Sequence, residues 1–581
     1  MKKRGLAWCL AAILLLSVFS FGVQADAAEL VILYENDVHC AIEGYAKLSA
    51  MKKELAQTVP YVGLVSSGDF VQGSSLGAVS QGEYIVNTMN LVGYDAFTLG
   101  NHEFDYKLPR LQELTALMNT KPVCCNFGKI GEDASLFQPY TIVSYGETDI
   151  AYIGVTTPDT ITSSSPIQFM DEQGNYIYTF HGADLYQTVQ NTIDAAVAKG
   201  ADYVIALTHL GTESVYEQWS AQALIANTAG LDVVLDGHSH SVVEALTVAD
   251  KNGDGVLLSS TGTKFQYIGQ LTLSGGKFTT RLVATEVYEA EDPAVVDYIA
   301  AINQEYGKLG NRKIGESKVD LTTVDENGQR IIRNRETNLG DLCADAYRVV
   351  MGADIGLQNG GGIRADMGAG DVTFNDILSV FPFNNNVCVV EATGQQIVDM
   401  LELGVVNYPN EDGTFQQVSG ITFAINGEIP SPVVLDENLM FVKVQGERRV
   451  SDVKVLDKTT RTYLPIDLAK TYTVASHSYL LLEQGGGATM FKNAKVVKND
   501  GVLDVEVLEQ YIVAHLGGVI GEEYAHAKGR IVTQKAQFPS VEESEPKGEN
   551  PKTGESAVIF VSGGLLLLSA AWLVVSRRKE Q

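Results

Sequence analysis

The sequence has few basic residues for its length. Its 581 residues include 42 Lys and Arg against 71 Asp and Glu, which gives a formal net charge of −29 at pH 7. Such a composition favours solubility and argues against binding long nucleic acids through a basic face. A small anionic ligand would therefore be held by local positive charge, from metal ions or a few arginines.

Cysteine is also scarce, with six in the chain. Cys9 lies in the apolar stretch at the N-terminus, and the other five cysteines are Cys40, Cys124, Cys125, Cys343 and Cys388. An odd number with one adjacent pair is not typical of a disulfide framework. We interpret these residues as small members of the hydrophobic core.

Long hydrophobic runs are missing from the middle of the chain and occur near its two ends. At the first end, Met1-Lys2-Lys3-Arg4 precedes the apolar stretch Gly5–Phe21 and a small-residue site, Val23-Gln24-Ala25 or Ala25-Asp26-Ala27. This order is typical of a cleavable secretory signal peptide, which we predict at residues 1–27.

The other end predicts an attachment signal. Residues 536–556 form a stalk rich in Pro, Glu and Ser that contains the motif Asn550-Pro551-Lys552-Thr553-Gly554. Residues 557–581 predict a hydrophobic sorting helix and a basic tail. A plain membrane anchor is one interpretation, since the apolar run is long enough to span a bilayer. The order of these features resembles a Gram-positive sortase signal, which implies cleavage after Thr553 and an extracellular protein joined to the peptidoglycan of the cell wall.

Between these ends the sequence predicts two domains. Residues 28–290 alternate strand-like and helical runs, a βαβ pattern that predicts an α/β fold. Residues 291–312 predict a linker helix, with Asp292 as N-cap and Pro293 in the first turn. Residues 313–535 carry short strands and Gly-rich turns, which predict a second domain of the α+β class.

Polar clusters follow five strand-like runs of the first domain. They are Asp37-Val38-His39, Gly68-Asp69, Gly100–Asp105, His209 and Gly237–His240. Side chains at the carboxyl ends of several strands meet in one crevice of an α/β sheet. Asp37 and His39 are two residues apart, as are His238 and His240, so each pair would project to one side of an extended backbone.

The donor atoms of these clusters are those of a metal centre. Carboxylate, imidazole and amide oxygen together favour Zn²⁺, Mn²⁺ or a similar ion over Ca²⁺. Two such ions can activate a water and clamp an in-line displacement at phosphorus, and Asp69 is the candidate bridging carboxylate. Asn101 and His102 should point apart, and His102, oriented by Asp105, would stabilise or protonate a leaving group. The histidines outside the clusters, His477 among them, are interpreted as ordinary surface or core residues.

In this order the clusters resemble those of the calcineurin-like metallophosphoesterases, and the Asn-His-Glu-Phe-Asp form of Asn101–Asp105 is typical of the 5′-nucleotidase branch. Two later segments, Arg333–Gly340 and Gln358–Arg364, resemble that family's substrate-binding segments. The resemblance implies an α/β fold with an N-terminal four-layer β-sandwich flanked by helices and a C-terminal α+β substrate-binding domain. It also implies rotation of the second domain, with residues 291–312 as the hinge.

The resemblance implies a role for each matching residue. One divalent metal ion would be held by Asp37, His39, Asp69 and His240, and a second by Asp69, Asn101, His209 and His238. The catalytic residues would be His102 and Asp105. The substrate-binding residues would be Arg333, Asn359, Arg364 and Phe383, of which Phe383 stacks on a nucleobase.

One segment departs from the family pattern. The family's second stacking aromatic usually follows a Gly-Gly-Asp-Gly turn, and here Gly486 stands at the aspartate and Ala488 at the aromatic. We therefore expect the base to stack on Phe383 alone, a loss on the order of 1–3 kcal/mol. Tyr479 and Phe491 are the candidates to compensate.

By this resemblance the chain is expected to hydrolyse nucleoside 5′-monophosphates to nucleoside and phosphate outside the cell, with two divalent metal ions as cofactors. Its expected partners are a nucleotide or related small phosphoester, sortase and peptidoglycan. Two alternatives remain open. One is hydrolysis of UDP-sugars, nucleoside diphosphates or 2′,3′-cyclic nucleotides, and the other is a surface adhesin that uses this fold.

Overall fold

The computed structural model describes residues 30–132, 134–212, 214 and 216–534, without the side chains of residues 305–309. The predicted signal peptide (1–27), the stalk from residue 536 with its 550–554 motif, and the sorting helix (557–581) lie outside these residues. Among the described residues, no helix combines the length and apolar character that crossing a membrane requires.

Two main sheets form the first half of the described chain. Their strands, with a separate pair β4–β7, are β1 (Leu30–Glu35), β2 (Tyr61–Ser66), β3 (Ala96–Phe97), β4 (Gly128–Lys129), β5 (Tyr140–Tyr145), β6 (Thr148–Thr156), β7 (Tyr178–Thr179), β8 (Tyr203–His209), β9 (Val233–Asp236), β10 (Val242–Ala249), β11 (Gly255–Thr261), β12 (Tyr267–Ser274) and β13 (Lys277–Ala284). One sheet has the order β13-β12-β1-β2-β3, and the other has the order β10-β11-β9-β8-β6-β5.

Helices cover the outer faces of both sheets. The helices of this half are α1 (Gly44–Leu55), α2 (Ser75–Ser80), α3 (Glu83–Val92), α4 (Lys107–Leu117), α5 (Thr160–Ser163), α6 (Leu185–Ala198) and α7 (Ala221–Asn227). The cluster that contains α1, α3 and α4 packs on the first sheet, and the cluster that contains α6 and α7 packs on the second. The predicted four-layer arrangement of two sheets between helices is confirmed.

The strands show why the layers form. In β1, Leu30, Ile32 and Tyr34 enter the core between the two sheets, whereas Val31 and Leu33 pack against the helical layer. Because successive side chains of a strand point to opposite faces, a strand buried on both faces is apolar along most of its length. Every residue of β1 is indeed buried.

Parallel pairing places the ends of the central strands at one edge. Glu35 of β1 pairs with Ser66 of β2, and Ser66 pairs with Phe97 of β3. In the second sheet, Thr208 of β8 pairs with Asp236 of β9. The loops that follow these strands therefore leave the two sheets close together, where ligands bind in open α/β sheets.

The linker helix α8 (Pro293–Gly310) belongs to the packing of the first half. Asp292 accepts a hydrogen bond from the backbone N–H of Ala294 at 3.2 Å, which caps the first turn. The same carboxylate accepts from Lys53 of α1 at 2.6 Å. Val295 and Ile299 are buried in the core under the first sheet, so the helix begins firmly attached to that domain.

The second half contains smaller, mixed sheets. Its strands are β14 (Lys313–Ser317), β15 (Ile355–Asn359), β16 (Gly370–Thr373), β17 (Val387–Thr393), β18 (Gln416–Ser419), β19 (Ile421–Asn426), β20 (Val433–Leu435), β21 (Phe441–Val444), β22 (Val450–Leu456), β23 (Tyr463–Pro465), β24 (Thr471–His477), β25 (Lys495–Lys498), β26 (Val519–Ile520) and β27 (Ile531–Gln534). The helices are α9 (Asn338–Met351), α10 (Phe374–Val380), α11 (Gly394–Leu403), α12 (Ser478–Leu481) and α13 (Asp504–Gln510).

A five-stranded sheet, β18-β15-β24-β17-β25, forms the centre of this half. Helix α9 lies in the core on one side of it, and α11 lies in the core on the other. Sheets β16-β14-β26 and β23-β22-β19-β27 and the hairpin β20-β21 complete the domain. Parallel and antiparallel pairs occur together, as predicted for an α+β domain.

Candidate metal centre and substrate cleft

The loops after β1, β2, β8 and β9 bring the predicted metal ligands together. Ligand atoms within 4.8 Å of one another form three groups, which are Asp37 with His39 and His240, Asp37 with Asp69 and His209, and His39 with Asp69 and His102. His238 lies beside these groups, since its backbone N–H donates to Oδ2 of Asp37 at 3.0 Å, and Oδ1 of Asn101 lies 3.0 Å from its Nδ1. All seven predicted ligands therefore lie at one site.

The backbone conformation of several of these ligands differs from the one that their spacing in the sequence predicted. Asp37 (φ 52°), His39 (φ 46°), Asp69 (φ 60°), His238 (φ 80°) and His240 (φ 56°) adopt left-handed conformations. The expected extended backbone for the Asp37–His39 and His238–His240 pairs is wrong, because tight turns replace it. Non-glycine residues with positive φ cost of order 1–3 kcal/mol each and persist where the surrounding structure fixes them.

The first group has short distances between its donor atoms. Nε2 of His39 lies 3.0 Å from Nε2 of His240, and Nε2 of His240 lies 3.4 Å from Oδ1 of Asp37. Nδ1 of His39 lies 2.9 Å from the carbonyl oxygen of Gln72. Because a carbonyl oxygen accepts only, Nδ1 of His39 carries the proton and Nε2 presents its lone pair to the group.

In the second group a histidine is oriented in the same way. Nε2 of His209 lies 3.1 Å from Oδ2 of Asp69 and 3.9 Å from Oδ1 of Asp37. Nδ1 of His209 lies 2.7 Å from the carbonyl oxygen of Ser67, which fixes the ring in the same tautomer. Lone pairs that converge with two carboxylates fit divalent metal ions that accept nitrogen and oxygen ligands.

The pKa values of the same residues show how strongly the site attracts positive charge. Burial alone would lower the pKa of His209, but the neighbouring carboxylates of Asp69 and Asp37 raise it to about 10. Burial alone would raise the pKa of Asp37, but His209 and His240 lower it to about 2. The cluster therefore favours a positive charge at its centre, as a metal site must.

Glu103 holds the loop that carries Asp69, a role that the sequence analysis did not assign. Its carboxylate accepts hydrogen bonds from the backbone N–H groups of Asp69 (2.8 Å), Gly100 (2.7 Å), Phe70 (2.8 Å) and Val71 (3.2 Å). Burial, and then the charge of Asp69, raises the pKa of Glu103 to about 7. The signal in the sequence is its place within the Asn-His-Glu-Phe-Asp motif.

Two glycines allow the two loops to approach. A Cβ atom on Gly68, which has φ +90°, would lie 2.4 Å from the backbone nitrogen of Gly100. A Cβ atom on Gly100 would lie 2.1 Å from Oδ1 of Asp69. Both distances are shorter than any side chain tolerates, so these positions require glycine.

His102 and Asp105 form the expected pair. Nδ1 of His102 lies 2.6 Å from Oδ2 of Asp105, and the backbone N–H of His102 donates to Oδ1 of Asp69 at 2.9 Å. The ring of His102 lies 6.2 Å from the ring of Phe383, measured between centroids. His102 therefore stands between the metal-ligand cluster and the second domain.

A cleft of about 760 Å³ between the two domains contains the predicted substrate-binding residues. Arg333, Asn359, Arg364 and Phe383 all line it. The guanidinium of Arg364 lies 5.8 Å from the ring centroid of Phe383. Within the described residues, neither Arg333 nor Arg364 donates a side-chain hydrogen bond to the protein.

A third arginine, Arg330, was not singled out in the sequence. It lines the same cleft and donates to Glu411 at 2.5 Å. Burial, and then the neighbouring Arg330, lowers the pKa of Arg364 to about 10. Guanidinium groups destabilised by burial and by each other form a site for an anion.

His477 is the buried, hydrogen-bonded core histidine that the sequence analysis allowed, and it also contacts a predicted substrate-binding residue. It lines the cleft, and its Nε2 lies 2.7 Å from Oδ1 of Asn359. Asn359 in turn donates to the carbonyl oxygen of Gly413 at 2.9 Å. His477 therefore fixes the side chain of a predicted substrate-binding residue, a contact between β15 and β24 that the local sequence does not reveal.

Ala488, at the position of the family's second aromatic, contributes nothing to the cleft. It is fully buried in the core of the second domain and does not line the cleft. Tyr479 lines the cleft instead, and its hydroxyl donates to the carbonyl oxygen of Thr162 at 2.7 Å. Of the two candidates to compensate, Tyr479 shares the cleft with Phe383, whereas Phe491 is buried in the same core as Ala488.

Family models match both halves of the chain. Residues 30–242 match the model of calcineurin-like phosphoesterases, and residues 313–493 match the model of the 5′-nucleotidase C-terminal domain. Together these segments cover more than half of the 581 residues.

Several known proteins are similar over most of this chain. The 5′-nucleotidase of Diplobatis ommata is 28% identical, over 86% of this chain and 89% of that protein. The trifunctional nucleotide phosphoesterase protein YfkN of Bacillus subtilis is 27% identical over 83% of this chain, which spans 34% of that longer protein. The crystal structure of the 5′-nucleotidase precursor from Thermus thermophilus superposes with a TM-score of 0.72 at 26% identity, covering 87% of this chain and all of that one.

The four-layer domain, with its carboxylate and histidine cluster at the strand ends, defines a metal-dependent phosphoester hydrolase of the calcineurin-like class. With the second domain joined to it, the chain belongs to the 5′-nucleotidase family.

The hydrogen bonds that the Glu103 carboxylate accepts predict that its removal strongly destabilises the folded protein. Glu103→Ala would leave four buried backbone N–H groups without their acceptor, and each such group costs about 1–3 kcal/mol. We expect the free energy of unfolding to fall by at least about 3 kcal/mol, measured by urea denaturation. Glu113→Ala, at a side chain that is 66% exposed, is the control and should change it by less than about 0.5 kcal/mol. Equal midpoints for both variants would show that the loop keeps its conformation without Glu103.

Proposed function

We propose that the chain hydrolyses nucleoside 5′-monophosphates to nucleoside and phosphate, with two divalent metal ions such as Zn²⁺ or Mn²⁺. The observation that carries the proposal is the position of His102, which contacts the loop of Asp69 on one side and faces Phe383 across the cleft on the other. The residues proposed for catalysis and those proposed for substrate binding thus line the same cleft. The similarity to proteins named 5′-nucleotidase supports the choice of substrate.

The metal ligands are proposed as two sets that share Asp69. Asp37, His39, Asp69 and His240 would hold one ion, and Asp69, Asn101, His209 and His238 would hold the other. When bound, such ions supply Lewis-acid activation of the phosphate and of the attacking water.

The chain's own residues then have separate tasks. Asp105 holds the ring of His102 through Nδ1, which leaves Nε2 to stabilise or protonate the leaving oxygen. The side chains of Arg333 and Arg364 donate no hydrogen bond within the described residues and are proposed to grip the phosphate. Asn359 is proposed to bind the sugar or the phosphate.

Phe383 and Tyr479 are proposed to enclose the base. Both line the same cleft, and the backbone N–H of Gly486 donates to the hydroxyl of Tyr479 at 3.0 Å, so that ring is fixed at its far end. Base–aromatic stacking contributes about 1–3 kcal/mol per base.

A broader activity is the second candidate. Tyr216, Leu435 and Leu439 also line the cleft, whose volume is about 760 Å³, and a cavity of this size can hold phosphoesters larger than a nucleoside monophosphate. One relative is named a trifunctional nucleotide phosphoesterase. UDP-sugars, nucleoside diphosphates and 2′,3′-cyclic nucleotides are therefore included among the substrates to be assayed.

We also propose that the protein acts outside the cell, joined to a Gram-positive cell wall. The support is the order of signal peptide, stalk, Asn550–Gly554 motif, apolar run and basic tail in the sequence. Sortase and peptidoglycan are the implied partners. Use of the same surface protein as an adhesin is compatible with this location.

Phosphate release by purified residues 28–535 tests the activity. AMP, GMP, UMP and CMP should be hydrolysed, EDTA should abolish the reaction, and Mn²⁺, Zn²⁺ or Co²⁺ should restore it. Asp69→Asn should damage binding of both ions together, whereas His240→Gln should be tolerated because an amide oxygen can replace the imidazole. Full activity after prolonged dialysis against EDTA would exclude the two-metal mechanism.

Replacing His102 tests the assignment of its role. His102→Ala should lower kcat by roughly 10²–10⁴ while the metal content stays near normal, because its proposed task is at the transition state. Asp105→Asn should act in the same direction, and less strongly. Loss of a metal equivalent from His102→Ala would instead make His102 a metal ligand.

Wall digestion tests the location. Digestion of the peptidoglycan of a Gram-positive host should release the protein joined covalently to wall fragments through Thr553. Deletion of residues 550–554 should leave it in the membrane or the medium. Extraction of most wild-type protein by detergent, with Arg577–Lys579 still attached, would favour a plain membrane anchor.

A further inference from the structure

Asp159 lies at the same edge of the sheets as the predicted ligands, although no role was assigned to it. It follows β6, whose last residue, Thr156, pairs with His209 at the end of the parallel strand β8. Asp159 and His209 therefore lie near each other because the two parallel strands end at the same edge of the sheet. The side chain of Asp159 is buried and lines the cleft.

The carboxylate of Asp159 is directed at a predicted metal ligand. Its Oδ2 lies 3.3 Å from Nε2 of His238. Asp159 immediately precedes helix α5, yet its side chain makes no capping hydrogen bond to that helix. Capping of this helix therefore does not account for the buried acid.

His238 differs from the other ring ligands in which nitrogen is engaged. In His39 and His209, Nδ1 is bound to a backbone carbonyl and Nε2 faces the cluster. In His238 the order is reversed, since Nε2 faces Asp159 and Nδ1 lies 3.0 Å from Oδ1 of Asn101. With the proton on Nε2, the lone pair of Nδ1 and the oxygen of Asn101 are two acceptors only 3.0 Å apart, an arrangement that a cation would stabilise.

We propose that Asp159 is a positioning residue that holds His238 in the Nε2–H tautomer, so that Nδ1 binds the metal ion shared with Asn101. The ring donates its Nε2 proton to Asp159, and the negative carboxylate increases the electron density at Nδ1. Outer partners of this kind are worth roughly 10–100-fold in metal affinity. This inference rests on the proposed two-metal site.

Zinc binding to the full-length protein tests the inference without measuring activity. The metal-free protein is titrated with Zn²⁺ in competition with a chromophoric chelator. Wild type should bind two ions. Asp159→Ala should weaken one of them by roughly 10–100-fold and leave the other unchanged, and Asp159→Asn, which keeps an acceptor without the charge, should fall between.

A second pair in the same domain provides the matched control. Asp184 lies 3.1 Å from Nδ1 of His181 on the surface, and Asp184→Ala should bind zinc as wild type does. Melting of the metal-free variants followed by circular dichroism should coincide with wild type. Unchanged affinity for both ions in Asp159→Ala, or an equal loss of both, would overturn the inference.

The outcomes separate this inference from the proposed function. If the zinc affinities shift as expected but wild type releases no phosphate from nucleotides, the proposed substrate is wrong and the role of Asp159 stands. If nucleotides are hydrolysed and Asp159→Ala binds both ions normally, the function stands and the role of Asp159 is wrong.

Discussion

Two buried carboxylates, Asp37 and Asp69, impose the constraint on which the rest of the site depends. Both are shielded from solvent, so their charge has to be balanced within the protein or by a bound cation. The response is visible in His209, whose pKa is raised to about 10 because the two acids outweigh the cost of burying a charged ring. Convergent loops, left-handed backbone and the bonds of Glu103 are the structural means of keeping these acids together.

The second domain contributes the opposite charge. The chain as a whole carries a net charge of −29, which repels an anionic substrate at long range. Arg330, Arg333 and Arg364 nevertheless line one cleft, where burial and mutual repulsion lower the pKa of Arg364 to about 10. A bound phosphate would relieve that repulsion. The acidic cluster thus favours cations, the arginines favour an anion, and a phosphoester with its metal ions satisfies both.

The sequence predicted those parts of the site that are formed by residues close together in the chain. Strand-end clusters such as Asp37–His39 predicted the edge at which the site forms, because parallel strands end together whatever the rest of the fold does. The layers followed from apolar strands such as β1. Contacts over long separations were not predictable in this way. His238 meets Asp159 across 79 positions and Tyr479 meets Thr162 across 317, and neither pairing has a local signal. The turn conformations of Asp37 and His39 were missed because spacing alone does not determine φ.

The contacts of Tyr479 connect the proposed base site with the approach of the two domains. Its ring lines the cleft, while its hydroxyl donates to Thr162 of the first domain. Four residues later, Glu483 binds Lys107 and accepts from Ser165 at 2.5 Å, both in the first domain. One short segment of the second domain therefore provides both a wall of the proposed base site and contacts with the domain that carries the metal ligands. Phe383, the other proposed wall of the base site, instead faces His102. A substitution at Tyr479 would alter both the base site and the domain contact, whereas one at Phe383 would alter the base site and the surroundings of His102.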